Sequence, residues 1–251
     1  MNATEYRNMV IENTKDFDAI KAIDYIKEWL NDFIKKSGMK KAVLGISGGK
    51  DSTIVAKLLV DVMGKENVIG LLMPNGIQKD INDSKKVVEI LDIESHIINI
   101  EHIYNNIVKE LGYIADEAKI NIAPRIRMTT LYTFGQTHGA LVAGTGNLSE
   151  RMLGYFTKHG DGACDFNLIG NYTSFEVMRI GEELGLPIEL VYKTPDDGLS
   201  GMSDEEKLGI TYKDVHNYLR NDINEIDVEA KEKIEKMIKS TSHKRVITPI
   251  P

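Results

Sequence analysis

Residues Ser47-Gly48-Gly49-Lys50-Asp51-Ser52 gather two hydroxyls, a lysine, a carboxylate and two adjacent glycines. Paired glycines let backbone N–H groups converge on an anion, and such convergence is strongest where a strand hands over to a helix N-terminus. The flanks agree: Ala42 to Ile46 is an apolar run that predicts a buried strand, and Ser52 to Met63 carries apolar residues at helical spacing. The loop is not a Walker A motif, because Leu44 stands where its first glycine belongs and Asp51 where Ser or Thr is required. An acid beside a phosphate nest needs a cation between them, which makes Asp51 a candidate Mg²⁺ ligand. The plainer alternative is an ordinary strand-to-helix turn.

A second glycine pair, in Gly144-Thr145-Gly146-Asn147-Leu148-Ser149, is only superficially a dinucleotide fingerprint, since Ser149 replaces the third glycine. Its interest is positional. Thr145 offers a hydroxyl, and Glu150 a carboxylate able to meet the same Mg²⁺ as Asp51; a solvated helix residue is the alternative for Glu150.

The elements that must bring these groups together alternate along the chain. From Phe17, apolar positions Ile20, Ile23, Ile26, Leu30 and Ile34, with Tyr25, Trp29 and Phe33, predict a helix stopped at Ser37-Gly38. Its stripe either covers a sheet or forms a dimer surface. Strands are predicted at Val68 to Met73, His96 to Ile100 and Ala140 to Ala143, and helices at Asn82 to Leu91, Glu101 to Leu111 and Asn121 to His138. Phe175 to Leu184, Tyr212 to Leu219 and Val228 to Ile238 complete the helices, the first opened by the capping-box pattern Thr173-Ser174-Phe175-Glu176. This alternation implies an α/β fold, a single-domain doubly wound parallel sheet with helices on both faces. Ligands of such sheets lie beyond the strand carboxyl ends, so the loops after strands one, two and four should face one crevice. Lys193 to Gly209, rich in Gly, Pro, Asp and Ser, reads as a functional loop.

Composition narrows the function. With 251 residues, 42% hydrophobic, the chain can bury a full core, and its net charge of −7 argues against a phosphate-backbone partner. Cys164, the one cysteine, excludes an internal disulfide. The polar start from Met1 to Asp18 lacks a leader or spanning stretch, so no membrane association and a cytoplasmic location are expected.

The loop Ser-Gly-Gly-x-Asp-Ser resembles that of the ATP pyrophosphatases, which adenylate a substrate oxygen. More specifically, Asn121-Ile122-Ala123-Pro124-Arg125-Ile126-Arg127-Met128, Gly144-Thr145 with Glu150, Gly154-Tyr155-Phe156-Thr157-Lys158-His159-Gly160-Asp161-Gly162 with Asp165, Asp204-Glu205 with Leu208-Gly209, and His243-Lys244-Arg245 are similar, in order, to the ammonia-dependent NAD synthetases. The resemblance implies an adenine nucleotide alpha hydrolase-like fold and a homodimer. It implies a ligase using ATP and Mg²⁺ to amidate deamido-NAD, nicotinate adenine dinucleotide, with ammonia. Carried over by position, ATP would be held by Gly45, Ser47, Gly48, Gly49, Lys50, Asp51, Ser52, Thr145, Ser174 and Asp196, with Asp51 and Glu150 as the catalytic metal carboxylates. Asn121, Arg125, Lys158, Asp161, Asp165, His243 and Lys244 would meet deamido-NAD. The chain departs from the pattern at Leu72, where Arg is frequent, at Ser174, where Lys is frequent, and at Asp196, where a hydroxyl is frequent. An ATP pyrophosphatase of different substrate and a nucleotide sensor without turnover are the competing readings.

Overall fold

A computed structural model of the chain describes residues 3–77, 81–192, 204–222 and 226–246. At its centre β1 (Lys41–Gly45) is flanked by β2 (Val68–Leu72) and β4 (Ala140–Gly144), with β3 (Glu94–Ile97) and β5 (Phe166–Asn167) outside them. All pairings are parallel and the order is β3-β2-β1-β4-β5. The chain therefore steps one way from β1 through β2 to β3 and then returns to the other side for β4. That reversal puts the switch point between β1 and β4, where strand-end loops splay apart and leave a crevice.

Side-chain alternation along β1 divides the core. Ala42 and Leu44 face a layer built on α2 (Ala19–Ser37), α3 (Lys50–Met63), α4 (Ile81–Leu91) and α9 (Ser174–Glu183). Val43 faces the other layer, with Ile126, Met128 and Leu131 of α7 (Ile122–His138) and the partly buried Tyr104 and Ile107 of α5 (Glu101–Leu111). A strand buried on both faces must be apolar at every position, which is why 42–46 reads as a run rather than an alternation. Between the two helices lies the short α6 (Asp116–Lys119). A third cluster joins Leu153 of α8 (Leu148–Leu153) to Val215 of α12 (Tyr212–Leu219) and Ile234 of α13 (Val228–Ser240). The short α10 (Ile188–Val191) and α11 (Asp204–Leu208) complete the set with α1 (Ala3–Asn13).

Several boundaries differ from expectation for local reasons. The third strand is Glu94–Ile97, exposed along its length, whereas Ile98 and Ile100 continue its hydrogen bonding to Leu72 and Pro74 while packing beneath the α7 layer. Part of the expected loop at Lys193 to Gly209 is α11; residues 193–203, and with them Lys193 and Asp196, lie outside the described residues. On α2, Ile23, Ile26 and Leu30 are buried in the core, and Gly38 ends the helix at φ +68°. Ile20, Tyr25 and Trp29 stay exposed, so the stripe is wider than the surface it covers.

Candidate active site

The loop after β1 is shaped by its own serines. Ser47 Oγ accepts from Gly49 N at 3.2 Å, and Ser52 Oγ accepts from Ser47 N at 3.3 Å. Gly48 has φ +82°, and a Cβ there would stand 2.8 Å from the backbone nitrogen of Ser84, so both the turn and the approach of α4 require glycine. Gly49 caps α3 without a side chain. The positive end of a 14-residue helix thus opens directly onto the crevice. Thr145 follows β4, the hydrogen-bonded neighbour of β1, and lies at the same sheet edge.

Glu150 reaches this edge through a capping box. Asn147 Oδ1 accepts from Glu150 N at 3.1 Å, and Glu150 Oε2 accepts from Asn147 N at 3.0 Å, which fixes the carboxylate at the first turn of α8. The wholly buried Asn147 also donates from Nδ2 to Asp51 Oδ1 at 3.3 Å. Lys50 Nζ donates to Asp51 Oδ2 at 2.8 Å. Burial first, and the charge of Asp51 second, push the Glu150 carboxyl up to about 8. Two acids confined together in this way call for a cation. Among the described residues no three metal-ligating side chains cluster. A pair of carboxylates is nevertheless the donor set that suits Mg²⁺, a hard ion that takes one or two carboxylates and completes its shell with phosphate oxygens and water. The residues fit the ion.

A second cluster lies where the segment after α8 meets the chain's last described turn. Thr157 Oγ1 donates to Asn121 Oδ1 at 2.7 Å, and Thr157 N donates to Asp161 Oδ1 at 3.0 Å. Arg125 Nε donates to the Lys158 carbonyl at 3.4 Å, and Lys158 Nζ to the His243 carbonyl at 2.8 Å. Lys244 Nζ donates to the carbonyls of Gly154 and Phe156, each at 2.7 Å, and sits 5.2 Å from the Phe156 ring centre. Burial lowers the Lys244 pKa, opposed by Asp161, whose own carboxyl burial raises. Arg245 reaches the Met152 carbonyl at 2.8 Å, and Thr241 Oγ1 the Leu153 carbonyl at 3.2 Å, so the turn at 241–245 clamps the end of α8. Asn121, Arg125, Lys158, Asp161, His243 and Lys244 are therefore gathered from three separate stretches. Asp165 is tied elsewhere, its Oδ2 accepting from Val142 N at 2.7 Å to fasten the strand β5 to β4.

Other expectations need correction. Ser174 is wholly buried at the start of α9, and its hydroxyl has no hydrogen-bond partner; enclosed there, it is not open to a nucleotide. Leu72 is buried in the core. Glu150 is no solvated helix residue but a half-buried member of the site. Asn147 and Arg127 stand within the motifs above without a role assigned by sequence. The pattern Asn147-Leu148-Ser149-Glu150 carried the first signal, a helix N-cap three residues before a glutamate. Arg127 donates to the Met73 carbonyl at 3.0 Å, and burial lowers its pKa against the pull of Asp161, which puts a guanidinium between the end of β2 and the second cluster.

Comparison with known proteins adds to this geometry. Residues 22–248 match the sequence model of the family described as NAD synthase. The chain is similar to an NH(3)-dependent NAD(+) synthetase of Pyrococcus furiosus, 40% identical over 86% of this chain and 90% of that one. Among solved structures it is similar to an NMN synthetase of Francisella tularensis, with TM-score 0.87 and 30% identity over 94% of this chain and 99% of the other. It is also similar to an NH3-dependent NAD synthetase of Campylobacter jejuni, with TM-score 0.81 and 28% identity over the same shares, 94% and 99%.

Proposed function

This chain belongs to the NAD synthase family, and from that premise we infer that it is a ligase that amidates nicotinate adenine dinucleotide with ammonia at the expense of ATP. A nicotinate carboxylate oxygen attacks the α-phosphorus of ATP, the bond to the β-phosphate breaks, and pyrophosphate leaves. The lone pair of ammonia then attacks the acyl carbon, the C–N bond forms, a proton is lost and AMP departs. The observation that carries the reading is the meeting of Asp51 and Glu150 with the phosphate loop at the β1/β4 switch point.

In this reading the uncapped amides of α3 and the loop hold the phosphates, Thr145 adds a hydroxyl, and Asp51 and Glu150 hold Mg²⁺. The ion, when bound, neutralises charge on the leaving pyrophosphate. Arg125, Lys158, His243 and Lys244 suit the pyrophosphate and carboxylate of the dinucleotide, and Asp161 suits ribose hydroxyls. Catalysis then rests on orientation and charge, with no side-chain nucleophile. Cys164 is no exception. Burial and Asp165 raise its thiol pKa, and its sulfur packs so closely on Gly144 that a Cβ there would lie 2.5 Å away. Likeness to NH(3)-dependent NAD(+) synthetases supports ammonia as the nitrogen source.

We also propose a cytoplasmic homodimer. No described helix is long and apolar enough to cross a membrane. Ile97 of the edge strand β3 and Ile103 of α5 are 57% and 46% exposed. A groove of about 360 Å³ lined by Ile98, Ile103 and Phe134 runs between α5 and α7. A second copy is the occupant we assign to this face, with the dinucleotide near the boundary; Ile103→Asp should convert a dimer to monomer in sedimentation.

The decisive assay is exchange of labelled pyrophosphate into ATP. Exchange dependent on nicotinate adenine dinucleotide supports the reading, and exchange indifferent to it refutes the reading. Nicotinate mononucleotide belongs in the same assay, because likeness to an NMN synthetase makes it the natural competitor. A higher kcat/KM for the mononucleotide would move the substrate assignment to it.

A further inference from the structure

Lys50 places a cation where two separate effects oppose one. It opens α3, whose N-terminus is the positive end of the helix dipole, and it is only 6% exposed, so its ammonium has little water to solvate it. The offset is local. Nζ lies 2.8 Å from Asp51 Oδ2 and 5.9 Å from the centre of the Tyr212 ring on α12. Around them stand Glu205, whose Oε1 accepts from Tyr212 N at 2.6 Å, and the Tyr6 hydroxyl, buried without a hydrogen-bond partner. With Oδ1 engaged by Asn147, both oxygens of Asp51 are already in use.

We propose that Lys50 is a resident counter-cation, occupying the metal's share of Asp51 in the nucleotide-free protein so that divalent-ion binding depends on nucleotide. The inference rests on the reading of Asp51 and Glu150 as metal carboxylates. A divalent ion arriving alone must either displace the ammonium from Asp51 or sit beside it, and like charges at that range repel strongly. Incoming phosphates change the balance, because they give the ammonium another anion and the ion further oxygen ligands. Lys50 is a positioning residue in this account.

The test is Mn²⁺ titration of the full chain, followed by electron paramagnetic resonance, with and without a non-hydrolysable ATP analogue. Without the analogue, Lys50→Met should bind Mn²⁺ on the order of tenfold more tightly than the unaltered protein, the scale by which one adjacent charge shifts a carboxylate equilibrium. With the analogue the two should converge. Lys50→Gln, which keeps a donor for Asp51 but no charge, should show the same gain and serves if Lys50→Met does not fold. Unchanged or weaker Mn²⁺ binding in a folded neutral variant overturns the proposal. Asp51→Asn separates the premise from the inference: if it binds Mn²⁺ with the analogue as well as the unaltered protein does, the metal assignment itself is wrong, and the role of Lys50 falls with it.

Discussion

Asn147 is the residue whose replacement tests the site most directly, because it joins the two proposed metal carboxylates. Asn147→Ala removes the N-cap of α8, a loss of about 1 kcal/mol. It also removes the donor to Asp51, a charge-assisted bond lengthened to 3.3 Å. We place that second loss at about 1 kcal/mol, below the range of about 1.5–3 kcal/mol for charged partners because the bond is long. The total of about 2 kcal/mol corresponds to a fall of about 4–8 °C in Tm for a chain of this size. Asn147→Ser keeps a good cap but cannot reach Asp51, so it should lose only about half as much. Activity should fall in both variants, by about 10- to 100-fold, the scale of residues that orient metal ligands. Urea or thermal unfolding gives the stability arm, and NAD formation across a Mg²⁺ titration the functional one. A Tm within about 1 °C of the original for Asn147→Ala, with unchanged Mg²⁺ dependence, would refute the reasoning.

Four further outcomes follow from the geometry. The folded pKa of Glu150, near 8, lies above its ordinary 4.5, so its contribution to stability is complete below the unfolded pKa and is lost as pH rises through about 8; metal-free Glu150→Gln should therefore show a flatter Tm profile from about pH 5 to 9, and parallel profiles would exclude the shift. Ser174→Ala removes an enclosed, unpartnered hydroxyl and should leave stability unchanged or raise it by up to about 1 kcal/mol, with the KM for ATP unaltered; a several-fold rise in that KM would return Ser174 to the nucleotide. Lys244→Ala frees the carbonyls of Gly154 and Phe156, at about 1–3 kcal/mol, and should raise the KM for nicotinate adenine dinucleotide more than that for ATP; equal changes count against the assignment. Cys164→Ala should keep ammonia-dependent synthesis, and glutamine-driven synthesis lost in that variant would overturn the choice of nitrogen source.

The sequence carried the parallel sheet because its central strands are buried on both faces and its helices end at readable stops. Gly38 ends α2, and the Thr211 cap with Asp214 opens α12 at Tyr212 as its spacing implied. Elements with little to bury were harder. Only Tyr6 and Val10 of α1 are buried, too few to make a stripe, and β5 spans two residues, too short for any alternation. β3 starts two residues and ends three residues before the expected bounds, because Glu94 and Ser95 pair through backbone while the apolar signal lies further on, at Ile98 and Ile100. At the site, the phosphate loop announced itself by glycines and residue type. The partners of its charges did not, since Lys50 on Asp51 and Asn147 between two acids are contacts made by tertiary folding. Ser174 misled for the converse reason: alignment to a motif gives a position, not the direction in which a short side chain is enclosed.

The clamp on α8 also bears on when a working enzyme first exists. This six-residue helix presents Glu150 at one end, while at the other its carbonyls at Met152 and Leu153 are held by Arg245 and Thr241. A ribosome makes the clamp after every other residue of the site. A nascent chain halted near residue 240 could already have assembled the sheet, the phosphate loop and the packing of Leu153 on Val215 and Ile234, yet the last carbonyls of α8 would lack the donors of Arg245 and Thr241. The phosphate loop would thus be complete before the last hydrogen bonds that hold the Glu150 helix are made.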